Sequence, residues 1–424
     1  MPLKLSPTIG YGCTALGSFV FVAGAVAQGV VAPPPMDFQV ADPTLAATRT
    51  GQLHAGDLLG SAATPPPEPL LQLGPVNFRP NLTYRFLYGD GIPARTGVNT
   101  TTAINEIYPG LVFELGPHWV LDYTPSFHLY SSSLFRDVMD QSVSLKGGTT
   151  YQDWTLGLSQ SYDSTDQPMV ETGTQTSTET YATAINLGYQ FNQKLSLELG
   201  LNQNFRFLTQ NLTASNLQDS RDWSSLDWLN YQVWPRLGLA LGLGGGYIEL
   251  GSQSAVASEQ LQGRVTWKAT DKLALVASGG GEDRQFLDGN QPSAITPIFG
   301  VSLMYQPFDV TAVSLDANRT ISPAYFQSQM TTSTSITAHL HQRLLGKLSL
   351  DLTGGYRVTS YEATTSAAST SREDKGATWS VRLSAPFQNR GAAALFYQAS
   401  QQSSSFQGYT YSSTQVGLEI SYRF

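Results

Sequence analysis

The sequence contains very little cysteine and very little charge. Of its 424 residues only Cys13 is a cysteine, and charged residues make up 13% of the chain. This is about half the charged share that is usual for a soluble protein. Because Cys13 lies so near the N-terminus, the rest of the chain can form neither a disulfide nor a thiolate metal site. The composition implies no cofactor.

Basic clusters and long apolar runs are also missing. The net charge is −8 and no stretch concentrates lysine or arginine, so the electrostatic footprint of nucleic-acid binding is absent. The longest apolar stretch, residues 15–26, is shorter than the roughly 20 residues that a helix needs to cross a bilayer. These two absences argue against a nucleic-acid-binding protein and against a helical membrane protein.

The N-terminus has the three parts of an export signal. Lys4 supplies the positive region, residues 15–26 the apolar core, and Ala25-Val26-Ala27 the small-residue cleavage site. We therefore predict a signal peptide over residues 1–27. Its removal takes away one of 24 basic residues and no acidic residue, which leaves 23 against 32 and a net charge of −9.

Residues 28–75 are rich in proline and alanine and show little periodicity. Two triple-proline runs, Pro33-Pro34-Pro35 and Pro65-Pro66-Pro67, lie in this segment. Such a composition is typical of a flexible connector, so we predict a lead-in that could also act as a partial plug. A short helix is conceivable only around residues 53–59.

From Val76 to the C-terminus the apolar residues recur at every second position. In the first run one face carries Val76, Phe78, Pro80, Leu82, Tyr84, Phe86 and Tyr88, and the other carries Asn77, Arg79, Asn81, Thr83 and Arg85. Successive side chains of a strand point to opposite faces, so the pattern indicates strands with one apolar and one polar surface. The chain's 39 Gly, 20 Tyr and 19 Phe suit such strands better than packed helices.

The connections alternate between short and long. Tight turns are predicted at Gly116-Pro117, Gln152-Asp153, Asn192-Gln193, Pro235-Arg236, Thr270-Asp271, Pro307-Phe308, Leu345-Gly346 and Asn389-Arg390. Longer polar stretches lie between them, for example residues 163–177, 209–222 and 362–376. The count is about eighteen strands (16–18) of roughly ten residues, the length that a tilted strand needs to cross hydrocarbon.

A sheet of this size with one apolar face and no helices to cover it is expected to close on itself in lipid. Backbone groups find no water in hydrocarbon, so a spanning sheet must have no free edge. Aromatic residues collect at both ends of the apolar face, as membrane boundaries require. One belt contains Trp119, Trp154, Tyr189, Phe191, Trp267, Tyr305, Phe387 and Tyr422, and the other contains Phe86, Tyr88, Tyr162, Tyr181, Phe205 and Tyr247.

The last nine residues, VGLEISYRF, alternate and end on an aromatic residue. With Tyr422 and Phe424 they resemble the C-terminal assembly signal of bacterial outer-membrane β-barrels, and residues 76–424 resemble the porin-like members of that superfamily. The resemblance implies an all-β, closed, antiparallel, up-and-down transmembrane barrel in the cell outer membrane, with both termini periplasmic. It implies outer-membrane lipid and the barrel-assembly machinery as partners, and it leaves open whether the chain forms a homo-oligomer.

If the apolar face meets lipid, the polar face lines the lumen. The candidate pore-lining residues are Arg79, Arg85, Glu106, Glu114, Asp122, Glu198, Arg206, Arg264, Arg284, Asp316, His339, His341, Arg343, Asp351, Arg357, Arg382, Glu419 and Arg423, with Glu282 beside them. Opposed charges in a water-filled passage set an ion preference. Alternatively, they only pair across neighbouring strands, since polar interiors are usual in such barrels. The signs nearly balance, so strong selectivity is not expected.

Two smaller patterns have simpler explanations than chemistry. His339 and His341 share a face and could ligate a metal, but without a third ligand in the strand we predict no metal site. The glycines at 242, 244 and 246 and at 279–281 lack the strand-to-helix context of a phosphate loop, so we predict bends or close approach of an inward loop.

Prolines inside predicted strands are a further feature. Proline removes a ladder hydrogen bond, and the turn at Gly116 would place Pro109 opposite Pro125 on the lipid side. We therefore predict a bulge or a loosened seam at that point.

These observations favour a channel for passive or weakly selective diffusion of small hydrophilic solutes. A non-conducting structural or interaction barrel, associated with surface polysaccharide or with secretion, is the alternative. An enzyme is less favoured, since His128 near Asp122 lacks an assignable partner and no G-x-S-x-G or paired-carboxylate motif is present.

Overall fold

The computed structural model describes residues 70–424 except 91–100, 170, 173–174, 210–216, 252–253, 288–291, 365–371 and 389. The predicted signal peptide, the stretch 53–59 where a short helix was considered and most of the predicted lead-in lie outside the described residues.

Nineteen strands account for nearly all of the described chain. They are β1 (Leu71–Leu73), β2 (Val76–Asp90), β3 (Thr102–Leu115), β4 (Trp119–Tyr130), β5 (Val138–Tyr151), β6 (Trp154–Thr165), β7 (Ser177–Gln190), β8 (Leu195–Thr209), β9 (Ser220–Trp234) and β10 (Leu237–Leu250). The others are β11 (Ser254–Thr270), β12 (Leu273–Phe286), β13 (Ala294–Phe308), β14 (Thr311–Pro323), β15 (Gln329–Leu344), β16 (Leu348–Ala363), β17 (Arg372–Phe387), β18 (Gly391–Ser404) and β19 (Tyr411–Arg423). One 3-10 turn, Gln407–Tyr409, precedes β19.

Strands β2 to β19 form one closed antiparallel barrel. Each strand pairs with the next along the chain, and β19 pairs with β2 from Thr414↔Asp90 to Arg423↔Asn81. The predicted count of eighteen and the all-β closed architecture of outer-membrane barrels are therefore confirmed. The strands are 12 to 17 residues long, more than the predicted ten, because they continue beyond the apolar belt. Within the described residues, no helix is long and apolar enough to cross a membrane.

The turns alternate as predicted. At one rim every connection has two to four residues, and Gly116 and Gly346 adopt the positive φ angles of 70° and 73° that such turns require. At the other rim the connections are mostly longer, although only residues 251–253 join β10 to β11. One predicted turn was misplaced: β13 continues to Phe308, and the turn falls on residues 309–310.

Strand β1 lies in the segment that the sequence assigned to the lead-in. Leu71 to Leu73 pair with Phe78 to Val76 of β2. Strand β19 ends beside this point, where the Phe424 N–H donates to the Pro80 carbonyl oxygen at 3.1 Å. Strand β1 therefore occupies the part of the β2 edge that β19 leaves uncovered.

The predicted proline seam is present. The pairing of β3 with β4 runs through Ile107↔Phe127 and resumes at Leu111↔Tyr123, and in this register Pro109 lies opposite Pro125. The three residues between these pairs on each strand form no ladder pair with one another, which is the local interruption that two opposed prolines should cause.

The barrel is not a uniform cylinder. Strand β14 pairs with β13 only up to Arg319↔Phe299, but it pairs with β15 as far as Pro323↔Met330. Residues 294–298 of β13 therefore have no ladder partner on the β14 side. The split begins beside Phe299, nine residues above the short-turn end of β13, which is about the height of the second aromatic belt on other strands. The wall thus separates only where closure against hydrocarbon is no longer needed.

Candidate functional site: the barrel lumen

All of the candidate pore-lining residues lie on the inner face of the wall. They alternate with exposed aliphatic and aromatic residues such as Leu201, Leu241, Leu261 and Leu395, which form the outer face. That these residues line a conducting path remains a prediction. What the structure adds is how they pair, which alternation along one strand cannot reveal.

An ionic chain crosses the junction between the first and last barrel strands. The Glu419 carboxylate on β19 accepts from Arg382 Nη2 of β17 at 2.6 Å and lies 3.2 Å from Arg85 Nε of β2. On β18 Phe396 lies opposite Arg382 and the small Ala394 lies opposite Glu419, so the guanidinium can reach over β18 beside Phe396. Glu419 is 0% exposed and Arg85 1%. Buried charges of this kind are tolerated only when each has its partner.

The chain continues from Arg85 into the next three strands. Arg85 Nη1 lies 3.4 Å from Glu106 of β3, whose other oxygen is 3.2 Å from His128 Nδ1 of β4. The opposite nitrogen of His128 lies 3.3 Å from Asp140 of β5. The partners of His128, which the sequence left unassigned, are therefore Glu106 and Asp140. The sequence analysis did not assign the residues of β5 to an inner and an outer face, and it therefore missed Asp140. The inner face of β5 carries Val138, Asp140, Ser142 and Ser144 at every second position.

A second cluster joins β8, β9 and β11. Arg264 Nη2 donates to Glu198 at 2.9 Å and to the Asn230 side-chain oxygen at 2.6 Å, and its guanidinium carbon lies 4.4 Å from the centre of the Trp228 ring. Trp228 is only 1% exposed although it faces inward. The intervening strand β10 must therefore have small inward side chains at this point, so that the Trp228 ring can lie over it.

The inward glycines of β10 supply that space. A Cβ at Gly242 would lie 2.7 Å from the Trp228 ring, and one at Gly244 would lie 2.7 Å from the Gln260 amide nitrogen. The strand runs unbroken from Leu237 to Leu250. The expected bends or inward loop are thus absent here, because neighbouring side chains and not a loop occupy the glycine positions.

A polar vestibule opens on the short-turn side of this cluster. Its volume is about 980 Å³, including space continuous with solvent, and it is bounded by inner-face residues of β6 to β11. Thr155, Gln190, Gln232 and Thr266 are among them, and Glu198, Asn230 and Arg264 lie at its inner end. Hydroxyl, amide and paired ionic groups make this a surface that solvates hydrophilic molecules without a strong preference for one sign of charge.

The opposite half of the lumen is filled. The connection between β14 and β15 crosses from its own strands to the inner wall of β8, where Arg206 Nη2 donates to the Ala324 carbonyl oxygen at 2.7 Å. The guanidinium also lies 4.0 Å from the centre of the Tyr325 ring. Tyr325 packs with Met169, Leu208 and Leu217 in a buried apolar cluster. We call residues 323–329 the mouth hairpin.

Two further loops hold the mouth hairpin. The Glu171 carboxylate, in the loop between β6 and β7, accepts from the Tyr325 N–H at 2.8 Å. The Gln218 amide donates to the carbonyl oxygens of Ala324 and Gln329, each at 3.3 Å, and its oxygen accepts from the Ser328 N–H at 3.0 Å. Burial raises the pKa of Glu171 above its ordinary value, against the lowering effects of the Tyr325 N–H and Arg206.

The strands that lead to the mouth hairpin bend inward with it. Ile321 of β14 and Met330 of β15 pack against Leu250 of β10 and Val256 of β11. Glu362 of β16 reaches Arg284 of β12 at 3.5 Å. The upper ends of β14–β16 therefore lie inside those of β10–β12, in two layers with an apolar core. This overlap explains the split between β13 and β14.

His339 and His341 both lie on the inner face beside Asp351 of β16. His341 Nδ1 is 2.6 Å from the Asp351 carboxylate, and His339 Nδ1 is 2.8 Å from the Thr353 hydroxyl. No group of three or more His, Cys, Asp or Glu residues in the described part of the chain could hold a metal ion. The arrangement is that of polar residues pairing across two neighbouring strands.

The C-terminal residues lie on the outer face. The rings of Tyr422 and Phe424 are 5.3 Å apart, and the latter continues past the last ladder pair of β19. Their recognition by the barrel-assembly machinery remains a prediction.

No protein-family model matches the chain, and no curated protein sequence is similar to it. Solved structures that align with this chain include the copper transporter OprC (12% identity, TM-score 0.44, 79% of this chain and 62% of that one). Pseudomonas aeruginosa OccK2 in complex with glucuronate has 12% identity and a TM-score of 0.45, and the alignment covers 82% of this chain and 98% of that one. The FrpB iron transporter of Neisseria meningitidis has 10% identity and a TM-score of 0.43, and the alignment covers 88% of this chain and 84% of that one. This chain thus spans less than two thirds of OprC, and similarity this low carries no information on a substrate.

Proposed function

We propose that the protein is a porin-like channel of the cell outer membrane, for passive or weakly selective diffusion of small hydrophilic solutes. The observation that carries the proposal is the polar vestibule at the short-turn end, inside a closed barrel with an apolar outer face. A surface of that kind is compatible with lipid outside and water inside. Neither a cofactor nor a bound metal is part of the proposal.

The pairing of the lumenal charges supports weak selectivity. Arg382, Glu419, Arg85 and Glu106 neutralise one another around one side of the wall, and Arg264 and Glu198 do so on another. Paired charges present little net field to a passing ion. We expect neutral solutes and small ions of both signs to enter the vestibule with similar ease.

The filled mouth favours a second candidate, a closed barrel with a structural or interaction role. In that case the mouth hairpin would be a permanent part of the lumen and no solute would pass. The two candidates differ in one property, which is whether the contacts of the mouth hairpin can be released while the wall stays closed.

Planar-bilayer recording of the purified mature protein distinguishes them. The variant Arg206→Ala/Gln218→Ala removes the hydrogen bonds of both side chains to residues 323–329 and leaves the vestibule unchanged. We expect small or infrequent conductance steps for the wild type and larger or more frequent steps for the variant. Arg136→Ala is the control, because Arg136 pairs with Asp166 at the exposed surface. Folded but non-conducting wild type and variant would contradict the channel and support the closed barrel.

A further inference from the structure

The outer surface of β6–β9 carries polar side chains in the band that should face hydrocarbon. Gln160 of β6, Thr183 of β7, Gln203 of β8 and Ser225 of β9 all belong to the outward-facing set of their strands. The first three lie two residues on the short-turn side of Tyr162, Tyr181 and Phe205 of the second belt, and Ser225 lies two residues on the short-turn side of Trp223, whose ring contacts Phe205. The four positions therefore form a row just below the membrane boundary. We call them, together with Asp227, the polar row.

Asp227 is the charged member of the polar row. It faces outward between the inward Leu226 and Trp228, and its outward neighbours Leu201, Leu229 and Leu243 are 54%, 46% and 61% exposed. The Asp227 carboxylate accepts from the Gly200 N–H at 3.2 Å and from the Ser225 hydroxyl at 3.3 Å. Midway between Trp223 and Tyr231, it lies between the two aromatic belts, where a charge facing lipid is costly.

The rest of the outer surface shows what a lipid-facing wall of this chain looks like. At comparable depth β17 presents Val381, β18 presents Tyr397, and β19 presents Val416 and Leu418. The polar row lies on four consecutive strands, β6–β9. Polar groups facing hydrocarbon are stable only when a partner satisfies them, and two loosely held hydrogen bonds leave the Asp227 carboxylate capacity to accept more.

The donors and the acceptor lie at opposite edges of the sector. On β6–β7 the Thr183 hydroxyl donates to the Gln160 oxygen at 2.9 Å, which occupies the acceptor end of Gln160 and leaves its amide N–H groups for another partner. On β9 the Asp227 carboxylate is the acceptor. Copies inserted in the same direction meet at equal depth, so the β6–β7 edge of one copy can donate to the β9 edge of the next.

We propose that the polar row is a self-association surface, through which a second copy of this chain covers Asp227. The contact is heterologous, with β6–β7 of one copy against β8–β9 of its neighbour, and contacts of this type close into rings. The outward rings of Tyr162, Tyr181, Phe205 and Trp223 would frame the contact on its outer side.

Cysteine cross-linking in isolated membranes tests this surface. The double variant Gln160→Cys/Ser225→Cys places thiols on β6 and β9, three strands or roughly 14 Å apart within one copy, too far for an internal disulfide. After mild oxidation we expect covalent oligomers on a non-reducing gel. Neither single variant should link, and neither should the control pair Ala338→Cys/Val381→Cys on β15 and β17. A monomeric double variant, or equal linking of the control pair, would overturn the proposal.

A second measurement does not depend on introduced thiols. Asp227→Leu removes the carboxylate, and Asp227→Asn keeps an acceptor for the Gly200 N–H. We expect a several-fold fall in the oligomeric fraction of the detergent-solubilised protein for Asp227→Leu and a smaller fall for Asp227→Asn, measured by light scattering. An unchanged mass, with a higher melting temperature for Asp227→Leu, would mean that Asp227 faces lipid and would overturn the proposal.

Discussion

The two halves of the barrel use the same strands in different ways. On the short-turn side the ladders are regular, the inner face is polar and partly exposed, and a vestibule is open to solvent. On the long-loop side three connections interlock, inner-face side chains are buried, and three strands lie inside three others. A strand needs its barrel partner only across hydrocarbon, so the extra length of these strands is free to pack as it would in a soluble domain.

The largest effect should come from the ionic chain that crosses the junction of β19 with β2. Glu419→Gln leaves Arg382 and Arg85 without their shared carboxylate in a fully buried position. Breaking a buried pair in this way costs about 3–5 kcal/mol. We expect that loss in the free energy of unfolding by urea in detergent or lipid. The control is Glu249→Gln, whose partner Arg221 is about half exposed, and for which a change below about 1 kcal/mol is expected. Equal losses would mean that the junction of β19 with β2 does not depend on this chain.

A smaller effect is expected in the wall around the vestibule. Gly242→Ala places a Cβ 2.7 Å from the Trp228 ring, which must shift, at a cost of about 1–3 kcal/mol. Gly263→Ala is a matched control on the adjacent strand, because a Cβ there has no atom within 4 Å. Thermal unfolding of both variants measures the difference. A Gly242→Ala variant as stable as Gly263→Ala would show that Trp228 does not depend on the space above β10.

The mouth should respond to acid, with Glu171 as the sensor. Burial raises the pKa of Glu171 in the folded protein, so the protonated carboxyl is the form that favours the folded mouth. Its contribution to stability is fully present below the ordinary pKa of 4.5 and is lost as the pH rises through the raised pKa of the folded protein. We expect proteolysis at residues 323–329 to slow as the pH falls through that range. Glu171→Gln should remove the dependence. A dependence of the opposite sign would show that the ionised carboxylate is the stabilising form.

The smallest predicted effect is at the proline seam. Amide exchange at Tyr108 and Thr124 should be faster than at Leu352 in the continuous ladder of β16, because the β3–β4 pairing is interrupted there. Hydrogen–deuterium exchange of the folded protein measures it. Uniform protection along β3 and β4 would contradict the loosened seam.

The sequence was sufficient for the wall and insufficient for the lumen. Alternation assigned Arg85 and Glu419 to the inner face, and the register of Gly116 placed Pro109 opposite Pro125, because both depend on local geometry. Alternation along a strand shows which face a residue occupies. It does not show which distant strand that residue contacts across the lumen, or where a strand bends away from the wall. Trp228 above Gly242 and Met330 against Leu250 depend on contacts between distant strands, so their roles were not foreseen.

The contrast between the halves can be measured directly by thiol accessibility. Once residues 1–27 are removed, as predicted, the chain has no cysteine, so a single introduced thiol reports one position. Thr266→Cys lies in the vestibule, and Thr83→Cys lies on the inner face of β2 beside the buried Arg85. A small, membrane-impermeant thiol reagent should modify Thr266→Cys much faster than Thr83→Cys in the folded barrel. Equal rates at the two positions would contradict an open vestibule below a filled mouth.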